Sequence, residues 1–335
     1  MATQGKIWVN MRTKGYTHGG GTFKTAVQAD YVSGVAGFDF AQVQSQLPSL
    51  NPTEIAPNCV IIMIKVPTVG PGTVTDGFMK TTADELELQS RFAVDGYALP
   101  ILGFIATSNH NVFIEQYGVA NILASIRAIP FYPPGSIDGC YVLMLKCGFN
   151  KNRNVMKLFD SPPIDKQVIV DSVIDFIDYT VEVQNLILYD FKPPNACRDP
   201  VIPGKMVGLD FDTKFCIRIP NITSRKGSIA KAYMFLMFAC FEYQFGTRDP
   251  AKKIKITIAL YNGLLRLRVN ELLDVIVTNQ ICVNLFKHYL HLNPQFSAIE
   301  VRDILRHRYI GTIAAQAGVS VLSVAAAKAP QWSDP

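Results

Sequence analysis

Residues Ala232 to Val269 read AYMFLMFACFEYQFGTRDPAKKIKITIALYNGLLRLRV, and the architecture turns on how that run folds. Around Asn262-Gly263 the apolar residues alternate with polar ones, the mark of a half-buried strand. Asn-Gly also suits a two-residue type I′ turn, because both central residues must take positive φ. With that turn fixed, Leu260 pairs with Leu265, Ile258 with Leu267 and Ile256 with Val269, so one face is wholly apolar. The other face pairs Ala259 with Arg266 and Thr257 with Arg268, with Lys253 and Lys255 beside them. The pattern predicts three consecutive antiparallel strands with one buried face and one basic, exposed face.

Charge outside this run points the same way. The formal net charge of the 335 residues is +5, but residues 1–100 carry −1, residues 101–200 carry −2 and residues 201–335 carry +8. A positive surplus confined to the last part predicts an anionic partner for it. The candidate binding residues are Arg225, Lys226, Lys252, Lys253, Lys255, Arg266 and Arg268, with Arg302, Arg306 and Arg308 as a second cluster. Charged residues make up only 18% of the chain, below the roughly 25% of average soluble chains. That deficit predicts additional buried surface, as at an oligomeric interface or a membrane contact.

Moving outward, residues 1–57 hold a triple glycine and a proline-broken segment, and predict an irregular arm. Val60–Val66, Ala98–Thr107 and Tyr141–Cys147 are short apolar runs that predict strands. Tyr117–Ile129 has helical spacing. Val168–Phe191 mixes both periods, its second half reading as extended chain, and its Asp171, Asp175 and Asp178 fall on one face if helical. Lys192–Gly204 is dense in proline and predicts a boundary between domains at 58–195 and 205–335. Phe215–Ile219 alternates as a strand. A helix beginning at Asn270 is expected through Leu290, and Ser297-x-x-Glu300 is a capping box that opens another. The seven cysteines are scattered, without C-x-x-C, and read as reduced, buried thiols of a protein made in the cytosol. The first residues carry no signal peptide, and no run of apolar residues is long enough to span a bilayer.

No phosphate-binding loop, G-x-S-x-G elbow, H-E-x-x-H or dinucleotide fingerprint is found. Gly19-Gly20-Gly21 is followed by Lys24-Thr25 at the wrong spacing for a phosphate loop, and His288 with His291 is too few ligands for zinc. The expectation is a binding and assembly protein, not an enzyme, with no metal and no cofactor.

Many short strands punctuated by glycine and proline predict a mainly β fold with some α: two β-sandwich-like halves, short helices and a helical C-terminal segment. The helix, proline break and apolar strand in VANILASIRAIPFYPPGSIDGCYVLMLKCGF, and the strand and basic loop in FCIRIPNITSRKGS, give the chain a pattern that resembles matrix proteins of paramyxovirus-like, non-segmented negative-strand RNA viruses. That resemblance implies two related β-sandwich domains and a dimer that tiles into arrays, bound to the anionic inner leaflet of a host membrane and linking envelope to nucleocapsid. A protein of the virion and of the host cytoplasm at the inner membrane face would follow. The same cations suit nucleic-acid phosphates, so a capsid or nucleocapsid protein binding viral RNA is the alternative, and a plant-virus movement protein a more distant one.

Overall fold

A computed structural model describes residues 83–99, 101, 158–159, 164–199 and 202–318 in full. It also gives the backbone of 5–10, 17–20, 24–28, 59–65, 76–82, 102–107, 111–116 and 139–145. The chain divides into two compact units. One comprises Met1–Met156, Arg198–Pro203 and Val207–Thr213, and the other Lys157–Cys197, Gly204–Met206 and Lys214–Pro335.

The first unit holds strands β1 (Gly5–Asn10), β2 (Thr17–Gly20), β3 (Lys24–Gln28) and β4 (Cys59–Lys65), then helix α1 (Asp76–Val94). Strands β5 (Ile101–Thr107), β6 (Asn111–Gln116) and β7 (Gly139–Leu145) follow. They form one seven-stranded sheet in the order β1-β6-β5-β7-β4-β3-β2. The β-branched run of β4 pairs antiparallel with β7, Ile61 opposite Leu143 and Ile62 opposite Val142. Three strands thus lie within the segment read as an irregular arm. The remainder of that segment, the helix expected over 117–129 and the chain beyond 318 are outside the described residues. Helix α1 buries Ala83, Leu86 and Phe92, and Arg91 pairs with Glu87 one turn back at 2.7 Å. Gly96, at φ 77°, supplies the left-handed residue that turns the chain after the helix, and Tyr97 N–H returns to Phe92 O at 2.8 Å.

The second unit is helical. Helix α2 (Lys166–Asp178) runs on through a π turn (Tyr179–Val183) to strand β8 (Leu186–Leu188). The short strands β9 (Ala196–Arg198) and β10 (Met206–Gly208), whose residues divide between the two units, and β11 (Cys216–Arg218) come next. Helices α3 (Ser224–Phe245), α4 (Pro250–Arg266), α5 (Val269–Ile276) and α6 (Gln280–Tyr289) follow. Helix α7 (Ala298–Asp303), a π-helical segment (Ile304–Gly311) and α8 (Thr312–Gln316) complete the described chain.

This corrects the expected fold. Ala232–Val269 is not a meander: it is the greater part of α3, all of α4 and the turn to α5. A helix apolar on every side has no stripe for a periodicity to find, and it is the helix a core is built around. From Met234 to Cys240 every residue of α3 is fully buried. Thr223 caps its start by accepting from Lys226 N–H at 3.2 Å. Helix α4 begins at Pro250 behind Asp249, whose carboxylate accepts from Ala251 N–H at 3.0 Å. Gly263 is no turn residue. It lies within α4, where a Cβ would come within 2.2 Å of the Phe235 ring on α3, so glycine permits the close approach of the two helices. The two sandwich-like halves are therefore overturned.

Smaller expectations divide. The helix read from Asn270 to Leu290 is two helices, because Asn279 starts a new one by accepting from Ile281 N–H at 2.9 Å. The capping box at Ser297 and Glu300 forms as read. Cys240 and Cys282 are free and buried, and burial pushes both thiols up, Cys282 to about 12. Cys197 is disulfide-bonded, against the reading of all seven as reduced.

Candidate active site in the Tyr189–Asn195 loop

The loop that joins β8 to β9 reads Tyr189-Asp190-Phe191-Lys192-Pro193-Pro194-Asn195. Its side chains alternate between core and surface. Phe191 is 2% exposed and stacks between Phe176 of α2 and Phe238 of α3, with ring centroids 5.2 and 5.5 Å away. Tyr189 is buried beside Tyr233 of α3 at 5.5 Å. Two aromatic anchors fix the loop to the central helix; Asp190 between them and Lys192 after the second keep only 16% and 14% of their side-chain surface exposed.

Hydrogen bonds then fix its shape. Lys192 and Asp190 form an ion pair. Asn195 donates its Nδ2 to Asp190 O at 2.9 Å and to Asp190 Oδ2 at 3.3 Å, while Asn195 N–H closes a tight turn onto Lys192 O at 2.8 Å. The Pro193-Pro194 pair starts that single 3₁₀ turn, its fixed φ suited to the position. Lys192 Nζ also lies 4.0 Å from the centre of the Tyr289 ring, a cation–π contact that limits where the ammonium can go. From below, Tyr233 Oη donates to Tyr189 O at 2.8 Å. Burial, and then neighbouring ionisable groups, push the Tyr233 hydroxyl well above its ordinary value, so it remains a donor. Beside the loop, Tyr189 N–H donates to Phe215 O at 2.8 Å, and β11 pairs antiparallel with β8, Cys216 opposite Leu188. The result is a carboxylate held beside an ammonium and an amide on an immobilised loop.

In the sequence these residues divide between the end of an extended run, Tyr189–Phe191, and the start of a proline-dense boundary at Lys192. The signal was present. Asp190-x-Lys192-x-x-Asn195 has the Asp-to-Asn spacing of the protein-kinase catalytic loop, H-R-D-x-x-x-x-N, and Asp210-Phe211 follows where that signature carries its second aspartate. Three positions depart from it: Leu188 and Tyr189 stand where the signature has histidine and arginine, and Asp212 where it has glycine after Asp-Phe. Within the first unit, Phe211 is fully buried with its ring 4.8 Å from Phe92 of α1, and Gly208 N–H donates to Tyr97 O at 2.8 Å.

No family model matches the chain, and no curated protein does. Among solved structures, it is similar to the autoinhibited serine kinase domain of the giant muscle protein titin. Identity is 7%, the alignment covers 95% of this chain and 93% of that one, and the TM-score is 0.38. It is also similar to titin kinase with its flanking domains, at 8% identity and TM-score 0.36, covering 92% of this chain and 47% of that one. At such scores the likeness carries no argument about function. Both are named as kinases and neither as a viral matrix protein, and it is the helical second unit that removes the sandwich fold on which the matrix resemblance rested. The matrix resemblance, its sandwich domains and the exclusion of enzymes are withdrawn.

The predicted basic residues do not share one sheet face. Arg225 and Lys226 are exposed in the first turn of α3, while Lys252, Lys253 and Lys255 sit at the start of α4 and Arg266 at its end. At 1.5 Å per residue, Lys255 and Arg266 are about 16 Å apart along the axis. Arg266 approaches Asp171 at 3.6 Å, Arg268 pairs with Glu271, and Lys253 lies over the Tyr243 ring at 4.8 Å. In the second cluster Arg302 and Arg306 converge on Asp274, at 3.5 and 3.0 Å, and Arg308 lies 6.0 Å from the Tyr309 ring centre. Of the three spaced acids of α2, Asp171 meets Arg266 and Asp178 meets Lys231 at 2.8 Å. Among the described residues no group of three or more His, Cys, Asp or Glu is gathered for a metal, and no helix is long and apolar enough to cross a membrane.

Proposed function

We propose that the chain is a phosphotransferase of the protein-kinase type, with Tyr189–Asn195 as its catalytic loop. The observation that carries this reading is the closed set of contacts among Asp190, Lys192 and Asn195 at the signature spacing. Phosphoryl transfer asks little covalent chemistry of a protein and depends on positioning and on charge stabilisation. Asp190 accepts the proton of the attacking hydroxyl. Lys192 offsets negative charge near it, and Asn195 holds Asp190 in aim.

Magnesium ions, where bound in such enzymes, neutralise charge developing between the phosphates. They take oxygen ligands and are usually held by one or two carboxylates together with phosphate oxygens. Asn195 fits that demand, because it spends its Nδ2 on Asp190 and keeps its amide oxygen as an acceptor. Asp210 is assigned the signature's metal-holding carboxylate on sequence order alone.

The test uses the full chain with Mg2+, γ-labelled ATP and a mixed library of peptides containing Ser, Thr and Tyr. Label is expected to move to peptide or to the protein itself. Asp190→Asn is expected to lower the rate by at least about 100-fold, the low end for a lost general base, with nucleotide binding retained. A wild-type chain that neither binds ATP nor transfers phosphate overturns the proposal, as does unchanged transfer by Asp190→Asn.

A further inference from the structure

The N-terminal end of α2 and the first three turns of α4 border an open recess of about 600 Å3. Asp165, Gln167, Lys252, Lys255, Ile258 and Ala259 are among the residues that line it. Its walls are tied together, since Asn262 of α4 donates to Gln167 Oε1 at 2.8 Å and Gln167 Nε2 donates to Asp171 at 3.0 Å. Ala259 is buried and forms part of the apolar floor. The recess is thus a formed feature of two packed helices.

Two properties of its rim are not those of an ordinary solvated helix face. Lys252 and Lys255 are exposed and have no ion-pair partner among the described residues, whereas every arginine of the second basic cluster has an acid or a ring beside it. Ile258 is 41% exposed, and Ile254 one turn earlier is 51% exposed. The acid at the site is already engaged: Asp165 caps α2 by accepting from Gln167 N–H at 3.0 Å. Asp249 likewise caps α4, so the helix ends themselves have few free donors, and anion recognition falls to the two lysines.

We infer that this recess is a docking site for an acidic peptide segment of a partner protein, one aliphatic side chain entering beside Ile258 and Ala259 and flanking carboxylates meeting Lys252 and Lys255. Charge complementarity selects the acidic segment, and the concave apolar floor selects a peptide side chain over a lipid surface, which meets flat or convex basic faces. Attraction between exposed charges of this kind weakens with salt.

The probe is a fluorescein-labelled twelve-residue peptide of alternating Leu and Glu, titrated with the full chain, beside the same peptide with Gln in place of Glu. The Glu peptide is expected to bind at least tenfold tighter at low salt. Lys252→Glu with Lys255→Glu should remove that preference, and Ile258→Ala should weaken binding several-fold while the melting temperature holds. Equal binding of the two peptides overturns the inference, as does a preference that survives the double reversal. Capture by phosphatidylserine vesicles through the same lysines, without peptide binding, also overturns it and restores a membrane role. The assay reads binding alone, so its result is separate from that of the phosphotransfer test.

Discussion

Helices α3 and α4 are consecutive, pack on each other and are both rich in aliphatic residues, yet they use them in opposite ways. Helix α3 is apolar on every side and is enclosed, with Met234 to Cys240 fully buried. Helix α4 has a buried stripe of Ile256, Ala259, Leu260 and Leu264, and a second set, Ile254, Ile258 and Leu265, that stays 41–53% exposed. One helix spends its apolar surface on the core. The other keeps part of it outside, and Ile258 of that part lines the recess beside Lys252 and Lys255. The contrast separates what holds the unit together from what the unit offers to other molecules, and substitutions in each helix test it.

The largest effect is expected from Phe238→Ala in α3. Phe238 has no exposed surface and touches Phe159, Phe191 and Phe235 through ring contacts of 5.5 to 6.4 Å. Emptying such a site costs about 3–5 kcal/mol in transfer and cavity energy. Denaturant unfolding should show a midpoint lowered to match, and the Phe191 anchor of the loop would loosen with it. A loss below ~0.5 kcal/mol, within the ordinary range of surface substitutions, would deny α3 its central place.

Gly263→Ala comes next, and its sign is the informative part. On an open helix face this change gains about 1 kcal/mol of helix propensity. Here the added methyl meets the ring of Phe235, itself fully buried and unable to swing clear. Overpacking costs about 1–3 kcal/mol, so a net loss of stability is expected in thermal unfolding. A rise in melting temperature would mean that α3 and α4 are not in close contact at this point.

These two helices also explain what could be read in advance. Ile256, Ile258 and Leu260 alternate because Ile258 is an exposed aliphatic on a helix, and an exposed aliphatic imitates the second face of a strand. Asn262-Gly263 imitated a hairpin turn because glycine serves two unrelated needs, positive φ and close approach, and local sequence does not distinguish them. In α3 the stripe was missing altogether. Local chemistry was more legible: the capping box of Ser297 and Glu300 forms as expected, β5 lies within a run that predicts a strand, and β4 and β7 overlap two others, starting one and two residues earlier. The site was missed for a different reason. Asp190 lies at the end of a run that reads as extended chain, while Lys192 and Asn195 fall among prolines that read as a linker, so no single pattern spans the three. The positive surplus beyond residue 200 was counted correctly, but counting charges does not show which are already paired.

The smallest effect is expected from Tyr233→Phe, which removes one hydroxyl where α3 meets the loop. Tyr233 Oη is the donor to Tyr189 O, and the ring is 1% exposed, so phenylalanine keeps the packing and leaves a carbonyl without that donor. Such a hydrogen bond is worth about 1 kcal/mol net, less than either packing change. Its pH dependence is also fixed in sign. Burial raises the hydroxyl above the ordinary value of 10.0, so its contribution is fully present below that pH and is lost as pH rises through the higher folded value. The stability gap between wild type and Tyr233→Phe should therefore be flat from pH 6 to about pH 9 and should narrow in stronger alkali. If the loop is catalytic, the variant should lower kcat several-fold with KM for nucleotide nearly unchanged, because Tyr233 acts on Asp190 only through the backbone of Tyr189. A fall in stability with kcat untouched would leave α3 as the support of the fold and deny it a part in aiming the site.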